Sequence, residues 1–430
     1  MHVPYKTLGP DGWREVVQLL CPHRTNGIVG VRQRPGEGAA VENGTWLSTL
    51  DGEARARRAA GLRRELRPRA AGDDVVDLAG NDYLGLSRHP DVLAAAARAL
   101  ADYGLGATGS RLVRGSTEAH HALEDGLAGL LGAPAALVYS SGYLANLGAI
   151  RALVRPGTLV VSDAHNHASI VDGCRLACAG RAAREGAGTV VAPHADPGAV
   201  RALLAADPHR PAVVVTESVF SVDGDLAPLA ELYAACREHP GGALLLVDDA
   251  HALGVIGPRG AGGVAAAGLA GRPGVIVTAT LSKSLGAAGG VVAGPRELRR
   301  QLVDTGRTFI YDTALPPAVA AGALAALDLL AGGDHLRAEL AARAATAVAR
   351  LRAEGLDVPT PDGGVISVAA PSADEAFAWA AACRERGVAV GCFRPPSTPD
   401  GRSRLRLTVN VGVPAAAFEH ALDIVVKERP

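Results

Sequence analysis

The sequence predicts an α/β fold, with a largely parallel sheet covered by helices on both faces and a smaller α+β domain at the C-terminal end. Three observations support this prediction. Short apolar, β-branched segments alternate with Ala- and Leu-rich helical segments between residues 81 and 325. The β-branched segments are apolar throughout, which is typical of strands that are buried on both faces. After Pro316 and Pro317 the pattern changes to long helices and short strands.

Four segments are expected along the 430 residues. Residues 1–45 are rich in Gly, Pro and Arg and lack sustained periodicity, so we expect a poorly structured extension. Residues 46–80 are expected to form a helical arm that includes an Arg-rich helix at Glu53–Leu66. Residues 81–325 are expected to form the large α/β domain, and residues 326–430 the small α+β domain.

Local patterns place the individual elements. Strands of the large domain are predicted at Ala136–Tyr139, Leu159–Ser162, Thr189–Ala192, Ala212–Thr216, Ala243–Val247 and Val275–Thr278. Its helices are predicted at Asp91–Tyr103, Glu118–Leu131, Pro197–Ala206 and Leu226–Glu238. Further helices are expected at Ala318–Leu330, His335–Arg352, Ala373–Arg386 and Pro414–Lys427, with strands at Val365–Val368 and Leu405–Val409.

Composition argues against several classes of partner. The 43 basic and 44 acidic side chains nearly cancel and only 3% of residues are aromatic, so neither nucleic acid nor an anionic membrane is an expected partner. The six cysteines form no C-x-x-C pair, which favours reduced core cysteines over a metal site or disulfides. No apolar run reaches about 18 residues and no signal sequence begins the chain, so we expect a cytoplasmic protein.

Lysine is scarce in this chain. Of the 43 Lys and Arg residues only Lys6, Lys283 and Lys427 are lysines. Arginine cannot form a Schiff base, whereas lysine can. A single lysine in a loop is usually a solvated charge, but Lys283 follows an apolar strand and precedes a Gly-rich segment. It is therefore a candidate for chemistry that needs an amine.

Other polar groups follow neighbouring strands. Asp248 and His251 come directly after one strand, although acidic residues in this position are often only helix caps. The segment Ser140–Asn146 follows another strand and opens a helix, whose first N–H groups can bind an anion. Ligands bind at the carboxyl ends of strands in open α/β sheets. Together with Lys283, these groups provide the amine, carboxylate and phosphate pocket that pyridoxal phosphate requires.

Two nucleotide-binding motifs can be set aside. A literal G-x-G-x-x-G occurs at Gly104–Gly109, but it follows a helix rather than a strand. The strand–turn–helix context of dinucleotide sites is therefore missing. The chain also has no G-x-x-x-x-G-K-[ST] motif, which argues against a nucleoside triphosphatase.

From about Leu47 onwards, the chain resembles the α-oxoamine synthases, a family of fold-type I pyridoxal-phosphate enzymes. The motifs that carry the resemblance are Asn81–Ser87, Gly109–Val113, Ser141–Asn146, His167–Ser169, Glu217–Gly224, Val247–His251, Thr280–Lys283, Phe393–Pro396 and Arg404–Thr408.

The resemblance implies roles around the cofactor ring. Lys283 would hold pyridoxal phosphate covalently, and Asp248 would pair with the pyridine nitrogen. His251 would hydrogen-bond the phenolic oxygen and His167 would stack on the ring. A lone histidine on a helix face is more often a satisfied core residue, so the role of His167 depends on the resemblance.

Other matched positions would contact the cofactor's oxygen and phosphate. Ser221 and Thr280 correspond to side chains near these groups, and Gly142 and Tyr143 to main-chain phosphate donors. Thr313 corresponds to a phosphate contact that the family supplies from a neighbouring subunit. The resemblance therefore implies a homodimer with shared active sites.

The resemblance also assigns substrate contacts. Arg394 corresponds to the arginine that binds the amino-acid carboxylate, and Asn81 lies where the family contacts substrate. Arg63 lies near arginines that meet the acyl substrate, with an alignment that is ambiguous by one residue. The chain departs from its relatives at His165–Asn166, and Asp312 stands where some relatives have Ser.

The implied reaction is a decarboxylative condensation of L-alanine with a pimeloyl thioester of coenzyme A or of acyl carrier protein, in biotin biosynthesis. Lys283 would remove the α-proton of the amino acid. A sister enzyme that uses glycine or serine with another acyl-CoA remains an alternative. A non-catalytic regulator, with residues 1–45 as its binding module, is an alternative of a different class.

Overall fold

A computed structural model of the chain describes residues 43–395, 397–398 and 400–430. The chain divides into two units, with the boundary between Ala60 and Gly61. In the first unit the described residues form one helix, α1 (Asn43–Ala59). Most of the extension predicted at residues 1–45 lies outside the described residues.

The helix predicted at Glu53–Leu66 is only partly confirmed. Helix α1 begins ten residues earlier, at Asn43, and ends at Ala59. Gly61 adopts a φ of 65°, a left-handed conformation that commonly terminates helices and that glycine adopts at little cost. The Arg-rich sequence favours helix locally, but this glycine stops it before Leu66.

Within the described residues, all strands lie in the second unit. In chain order they are β1 (Val76–Leu78), β2 (Ala135–Tyr139), β3 (Leu159–Asp163), β4 (Gly188–Ala192), β5 (Ala212–Glu217), β6 (Ala243–Asp248), β7 (Val275–Thr280), β8 (Gly290–Gly294), β9 (Val365–Ala369), β10 (Val388–Phe393) and β11 (Arg404–Thr408).

The α-helices of the second unit surround these strands. They are α2 (Pro90–Tyr103), α3 (Glu118–Leu131), α4 (Gly142–Leu153), α5 (Ala168–Ala177), α6 (Gly180–Arg184), α7 (Pro197–Ala205), α8 (Leu229–Glu238), α9 (Gly263–Ala266), α10 (Arg296–Thr305), α11 (Arg307–Ile310), α12 (Pro317–Ala331), α13 (Asp334–Ala353), α14 (Ala373–Glu385) and α15 (Ala415–Lys427). No single described helix is long and apolar enough to cross a membrane; α12 and α13 meet that criterion only as a pair, which is bent by 82°.

The larger sheet has seven strands in the order β2-β8-β7-β6-β5-β3-β4. The five strands from β7 to β4 run parallel, while β8 is antiparallel to both of its neighbours, β7 and β2. Strand β2 therefore points in the same direction as the parallel strands. All six strands predicted in the large domain are confirmed within two residues at each end. Strand β8 was not predicted, because two of its five residues are glycines and glycine is depleted in strands.

The larger sheet is covered on both faces, as predicted. Val213 and Val215 of β5 pack in one apolar core, and Val214 between them packs in the other. Successive side chains of a strand point to opposite faces of a sheet. A segment without polar alternation therefore fills two cores at once, which confirms the predicted α/β architecture.

The smaller sheet has four strands in the order β1-β10-β11-β9. Its edge strand β1 pairs in parallel with β10, at Val76 opposite Val388, and the other pairs are antiparallel. A strand of the predicted arm segment thus joins a sheet built from C-terminal residues. Helix α12, which contains the domain boundary predicted at residue 325, packs on α2 and α3.

We expect the substitution Leu351→Ala to lower the free energy of unfolding by roughly 2–5 kcal/mol. Leu351 lies on α13 with none of its surface exposed, so shortening it removes apolar contacts and leaves a cavity. Urea titration followed by circular dichroism measures the change. Leu66→Ala is the matched control, because Leu66 is 99% exposed and its loss is expected to change stability by less than about 0.5 kcal/mol. Equal losses for the two variants would contradict this account of the core.

Candidate active site

The carboxyl ends of β2, β3, β5, β6 and β7 lie at one edge of the larger sheet, because these strands all point the same way. A cavity of about 270 Å³ opens at this edge. Its walls include seven residues expected from the sequence: Gly142, Tyr143, His167, Asp248, His251, Thr280 and Lys283. The strand-end residues that the sequence predicted to be neighbours are therefore brought together.

Lys283 lies three residues after the end of β7. No described residue makes a hydrogen bond or an ion pair with its amine. Burial, together with the positive charge of Arg406, lowers the pKa of this amine to about 8, although the charges of Asp248 and Glu217 act in the opposite direction. The amine can therefore lose its proton near physiological pH, and no described residue binds it.

Asp248, the last residue of β6, is a buried carboxylate in a fixed position. Its Oδ2 accepts a hydrogen bond from the amide of Asn146 at 2.7 Å, and its Oδ1 accepts one from the N–H of Ala250 at 2.9 Å. The Asn146 amide also donates to Ser169 Oγ at 2.8 Å and accepts from the Thr278 hydroxyl at 2.5 Å. Asn146 therefore orients the carboxylate, a role that was not predicted from the sequence although Asn146 lies in the motif Ser141–Asn146.

His167 caps the N-terminus of α5. Its Nδ1 accepts a hydrogen bond from the N–H of Ser169 at 3.2 Å and lies 2.8 Å from the Ser169 hydroxyl. Nδ1 is therefore the unprotonated nitrogen, and Nε2 carries the proton. Burial and the charge of Lys283 lower the pKa of His167, with Asp248 acting in the opposite direction. The imidazole is consequently neutral and presents an uncharged ring.

His251 and Tyr83 form a second buried pair. Nδ1 of His251 lies 2.6 Å from the Tyr83 hydroxyl. Burial raises the pKa of Tyr83 above its ordinary value, and burial with the charges of Lys283 and Arg406 holds the pKa of His251 well below 6.5. The tyrosine therefore donates to Nδ1 of a neutral histidine, which leaves the Nε2–H of His251 free to donate to a ligand.

Arg406 on β11 is a buried cation with no carboxylate among the hydrogen-bond partners that the described residues provide. Its Nη2 donates to Asn81 Oδ1 at 2.8 Å and its Nη1 to the carbonyl of Ser221 at 3.0 Å. Its Nε is buried without a partner among the described residues. The guanidinium lies 4.7 Å from the ring centre of Phe393. Because a buried cation is costly without a counter-ion, this arrangement is suited to an anionic ligand.

Five of the expected residues do not line this cavity. Two of them, Asn81 and Ser221, accept hydrogen bonds from Arg406, and the other three are Arg394, Arg63 and Thr313. Arg394 donates to the carbonyls of Gly61 and Arg63, the latter at 3.3 Å. Arg63 pairs with Glu65 at 3.0 Å. Thr313 is exposed, next to the Asp312 carboxylate that accepts a hydrogen bond from the Ser140 hydroxyl.

Glu217, at the end of β5, is a further buried carboxyl in the cavity wall. Its Oε1 has no hydrogen-bond partner in the described part of the chain. Burial and the charge of Asp248 raise the pKa of Glu217 to about 8, against the opposing effects of Lys283 and of the N–H groups of His167 and Ser221. No role was predicted for Glu217 from the sequence. Its place at the end of an apolar strand was the available signal.

Pyridoxal phosphate fits this donor set. The free amine of Lys283 can bond to the cofactor's aldehyde, and the anchored Asp248 can pair with a protonated ring nitrogen. At the start of α4 a Cβ on Gly142 would lie 3.0 Å from Thr280 Cβ, so glycine keeps this N-terminus open to a phosphate. Among the described residues no group of three or more His, Cys, Asp or Glu side chains could hold a metal ion.

Comparison with known proteins agrees with this chemistry. The family described as "Aminotransferase class I and II" matches residues 73–425. The 8-amino-7-oxononanoate synthase of Mycolicibacterium smegmatis is 53% identical over 371 residues, which cover 86% of this chain and 92% of that protein. The enzyme of the same name from Mycobacterium sp. strain JLS is 52% identical over 368 residues, covering 85% and 92%.

Solved structures of related enzymes are also similar to this chain. Serine palmitoyltransferase from S. paucimobilis superposes with a TM-score of 0.81 at 30% identity, covering 89% of this chain and 97% of that chain. An 8-amino-7-oxononanoate synthase from Francisella tularensis superposes with a TM-score of 0.69 at 27% identity, covering 83% and 98%. The resemblance to the α-oxoamine synthases is confirmed, and the chain belongs to the class I and II aminotransferase family, in the group of the 8-amino-7-oxononanoate synthases.

Proposed function

We propose that the chain catalyses the pyridoxal-phosphate-dependent decarboxylative condensation of L-alanine with a pimeloyl thioester. The products are 8-amino-7-oxononanoate, carbon dioxide and the free thiol. The observation that carries the proposal is the cavity in which the free amine of Lys283 and the anchored carboxylate of Asp248 meet at a helix N-terminus. Relatives at 52% and 53% identity, named for this product, support the choice of reaction.

The cofactor, when bound, supplies an aldehyde for amines and a ring that stabilises negative charge at the substrate's α-carbon. Asp248 would keep the ring nitrogen protonated by pairing with it in a site from which water is largely excluded. The main-chain N–H groups of Gly142 and Tyr143, with the Thr280 hydroxyl, would hold the phosphate.

Three further side chains would orient the ring. The neutral imidazole of His167 can lie against a ring face without adding charge. The Nε2–H of His251, whose tautomer is set by Tyr83, would donate to the phenolic oxygen. Ser221 would contact the same oxygen from the loop after β5.

Lys283 is suited to move the proton of the substrate's α-carbon. An amine acts as a base only when it is neutral, and a pKa of about 8 makes the neutral form far more abundant near pH 7 than a pKa of about 10.4 would. Burial that lowers the pKa also keeps bulk water away from the carbon that loses the proton.

We place the carboxylate of the amino acid at Arg406, with Asn81 beside it. Arg406 is buried, lacks a counter-ion among its described partners and influences the pKa of Lys283. The assignment of this carboxylate to Arg394 stays a prediction from the resemblance. Arg394 instead lies against Arg63, the residue that the sequence associates with the acyl substrate.

A homodimer with shared active sites belongs to the same proposal. Large apolar side chains are exposed on the segment around residues 105–113 and near Thr313: Leu105 and Val113 are each 84% exposed and Tyr311 is 73% exposed. Exposed apolar surface of this kind commonly marks an interface. A second copy that covers it would allow Thr313 of the partner subunit to reach the phosphate.

A cytoplasmic location is also proposed. The described cysteines, Cys174, Cys178, Cys236, Cys383 and Cys392, are all unpaired. Unpaired cysteines are typical of proteins in reducing compartments, which supports the location that the sequence led us to expect.

The proposed function is tested by supplying the purified, cofactor-loaded protein with L-alanine and pimeloyl-CoA. We expect 8-amino-7-oxononanoate and carbon dioxide in equal amounts, detected by mass spectrometry and gas release. Lys283→Ala should reduce turnover by at least about 10²-fold, whereas Lys427→Ala, on the exposed last turn of α15, should not. Faster turnover of glycine or serine with acetyl-, succinyl- or palmitoyl-CoA would instead establish a sister enzyme.

Capture of pyridoxal phosphate by the apoprotein is expected to depend on pH with a midpoint near 8. The amine of Lys283 reacts only when deprotonated, so the rate of capture should rise as pH increases through its pKa. Glu217→Gln should move the midpoint to lower pH, because the charge of Glu217 raises the pKa of Lys283. Absorbance in a stopped-flow instrument measures the rate, with Lys283→Ala as the control. A midpoint near the reference value of about 10.4 would contradict the burial of this amine.

The substitution Arg406→Lys is expected to reduce kcat/KM for L-alanine by about 10²-fold. Lysine keeps the positive charge but cannot make the parallel hydrogen bonds that a carboxylate receives from a guanidinium. Steady-state kinetics with each substrate varied in turn measures the effect. Arg394→Lys is the matched control and should affect KM for the thioester more than KM for alanine. The opposite pattern would assign the amino-acid carboxylate to Arg394.

A further inference from the structure

A cluster of histidine and aspartate side chains lies outside the cavity, at the same edge of the larger sheet. His194, two residues after β4, stands between two carboxylates. Its Nδ1 lies 3.0 Å from Asp163 Oδ1 at the end of β3, and its Nε2 lies 2.9 Å from Asp225 Oδ2 after β5. Both ring nitrogens can donate to carboxylates only when the imidazole is protonated.

Two aromatic rings enclose His194. The ring of His165 stacks on it with centres 3.8 Å apart and planes 11° apart. The ring of Phe220 meets it edge-on at 4.3 Å. Nothing in the proposed reaction accounts for His165.

The surrounding charges favour a protonated His194. Burial opposes the charge, but the hydrogen bonds and charges of Asp163 and Asp225 outweigh burial and raise the pKa of His194 to about 9. Burial and the charge of His194 lower the pKa of His165, against the opposing charges of Asp163, Asp223 and Asp225. The stack therefore consists of one charged and one neutral imidazole.

Asp163 connects this cluster to the loop after β3. Its Oδ1 also accepts a hydrogen bond from the N–H of His165 at 2.7 Å, and its Oδ2 accepts one from the N–H of Ala195 at 2.8 Å. The same loop reaches His167 two residues further on. One carboxylate thus fixes both the loop that holds His167 and the loop that holds His194.

Asp225 connects the cluster to the loop after β5. This loop is folded back on itself, since the N–H of Phe220 donates to the carbonyl of Asp225 at 2.9 Å and the N–H of Gly224 donates to that of Phe220 at 2.9 Å. Ser221 lies inside this turn. These main-chain bonds therefore tie Asp225 to the turn that contains Ser221.

We propose that His194 is a positioning residue that clamps the loop carrying His167 to the loop carrying Ser221, and that His165 supplies the stacking surface that holds its ring. The proposal rests on the cofactor site of the proposed function, because these two loops bound that site. The clamp keeps the two sides of the site at a fixed separation without touching the cofactor.

The clamp depends on pH in a defined direction. A histidine whose pKa is raised in the folded state contributes fully below its unfolded pKa of about 6.5. That contribution is lost as pH rises through the folded value of about 9. Cofactor affinity should therefore weaken above about pH 9.

The first test compares His194→Gln with His239→Gln. Glutamine is similar in size but uncharged, and it cannot present two donors on opposite sides to the two carboxylates. His239 is equally suited as a control, because it is buried and its Nε2 donates one hydrogen bond, to the carbonyl of Arg210 at 2.6 Å, away from the cluster. Equilibrium dialysis of the cofactor-loaded protein should show about 10-fold or more weaker binding of pyridoxal phosphate for His194→Gln and less than twofold change for the control.

The second test separates a charged clamp from a merely structural contact. In the cofactor-loaded protein, the Cε1–H signal of His194, identified by its absence in His194→Gln, should titrate near pH 9. Asp225→Asn should lower that midpoint by at least one pH unit, and should lower by the same amount the pH at which cofactor affinity falls. This variant also serves if His194→Gln does not fold.

Either of two results would overturn the clamp: titration of His194 near pH 6.5, or unchanged cofactor affinity in His194→Gln. Failure of the wild-type protein to bind pyridoxal phosphate at all would be a different result. It would reject the proposed function, while the titration of His194 would still decide whether its charge is held as described.

Discussion

The common direction of the strands in the larger sheet is the constraint on which the site depends. It places Asp248, Glu217 and Lys283 at one edge, although they come from three different strand ends. Strand β8, which runs antiparallel to its neighbours, also contributes to this edge. A Cβ on Gly290 would lie only 2.4 Å from the carbonyl of Ser141, so a glycine is needed where β8 passes under the start of α4. The open helix N-terminus is thus a product of sheet packing as much as of local sequence.

Burial then decides the charge of each group at this edge. Lysine and histidine can respond to desolvation by losing a proton, whereas arginine keeps its charge under almost all conditions. Arg406 therefore acts as a fixed positive charge, which helps to lower the pKa values of Lys283 and His251. Asp248 is held by one hydrogen bond from the Asn146 amide and one from the N–H of Ala250. With Arg406 and Asp248 held in place, Lys283 is a group at this edge that can change its protonation during a reaction.

Some features of the fold and of the candidate site could be predicted from the sequence, and others could not. Apolar strands and the polar residues that follow them are local signals, so Asp248, His251 and Lys283 could be grouped from the sequence. Pairing between β1 and β10 joins residues more than 300 positions apart, and nothing local encodes it. The different surroundings of Arg394 and Arg406 were equally hidden, because both are arginines on the same stretch of chain, and which of them binds the amino-acid carboxylate stays a prediction. Burial and hydrogen-bond partners distinguish them, and only the folded structure shows these.

The loop after β5 shows why side chains far from the cofactor matter to this site. It is held from the smaller sheet by Arg404, which pairs with Asp223 at 3.3 Å, and by Arg406, which donates to the carbonyl of Ser221 at 3.0 Å. It is held from the larger sheet by His194 through Asp225. Arg404 and Arg406 are two residues apart on β11 and therefore lie on one face of the strand. A carboxylate bound at Arg406 would thus rest on the same loop that is proposed to orient the cofactor, so that substrate binding and cofactor position would share one set of contacts.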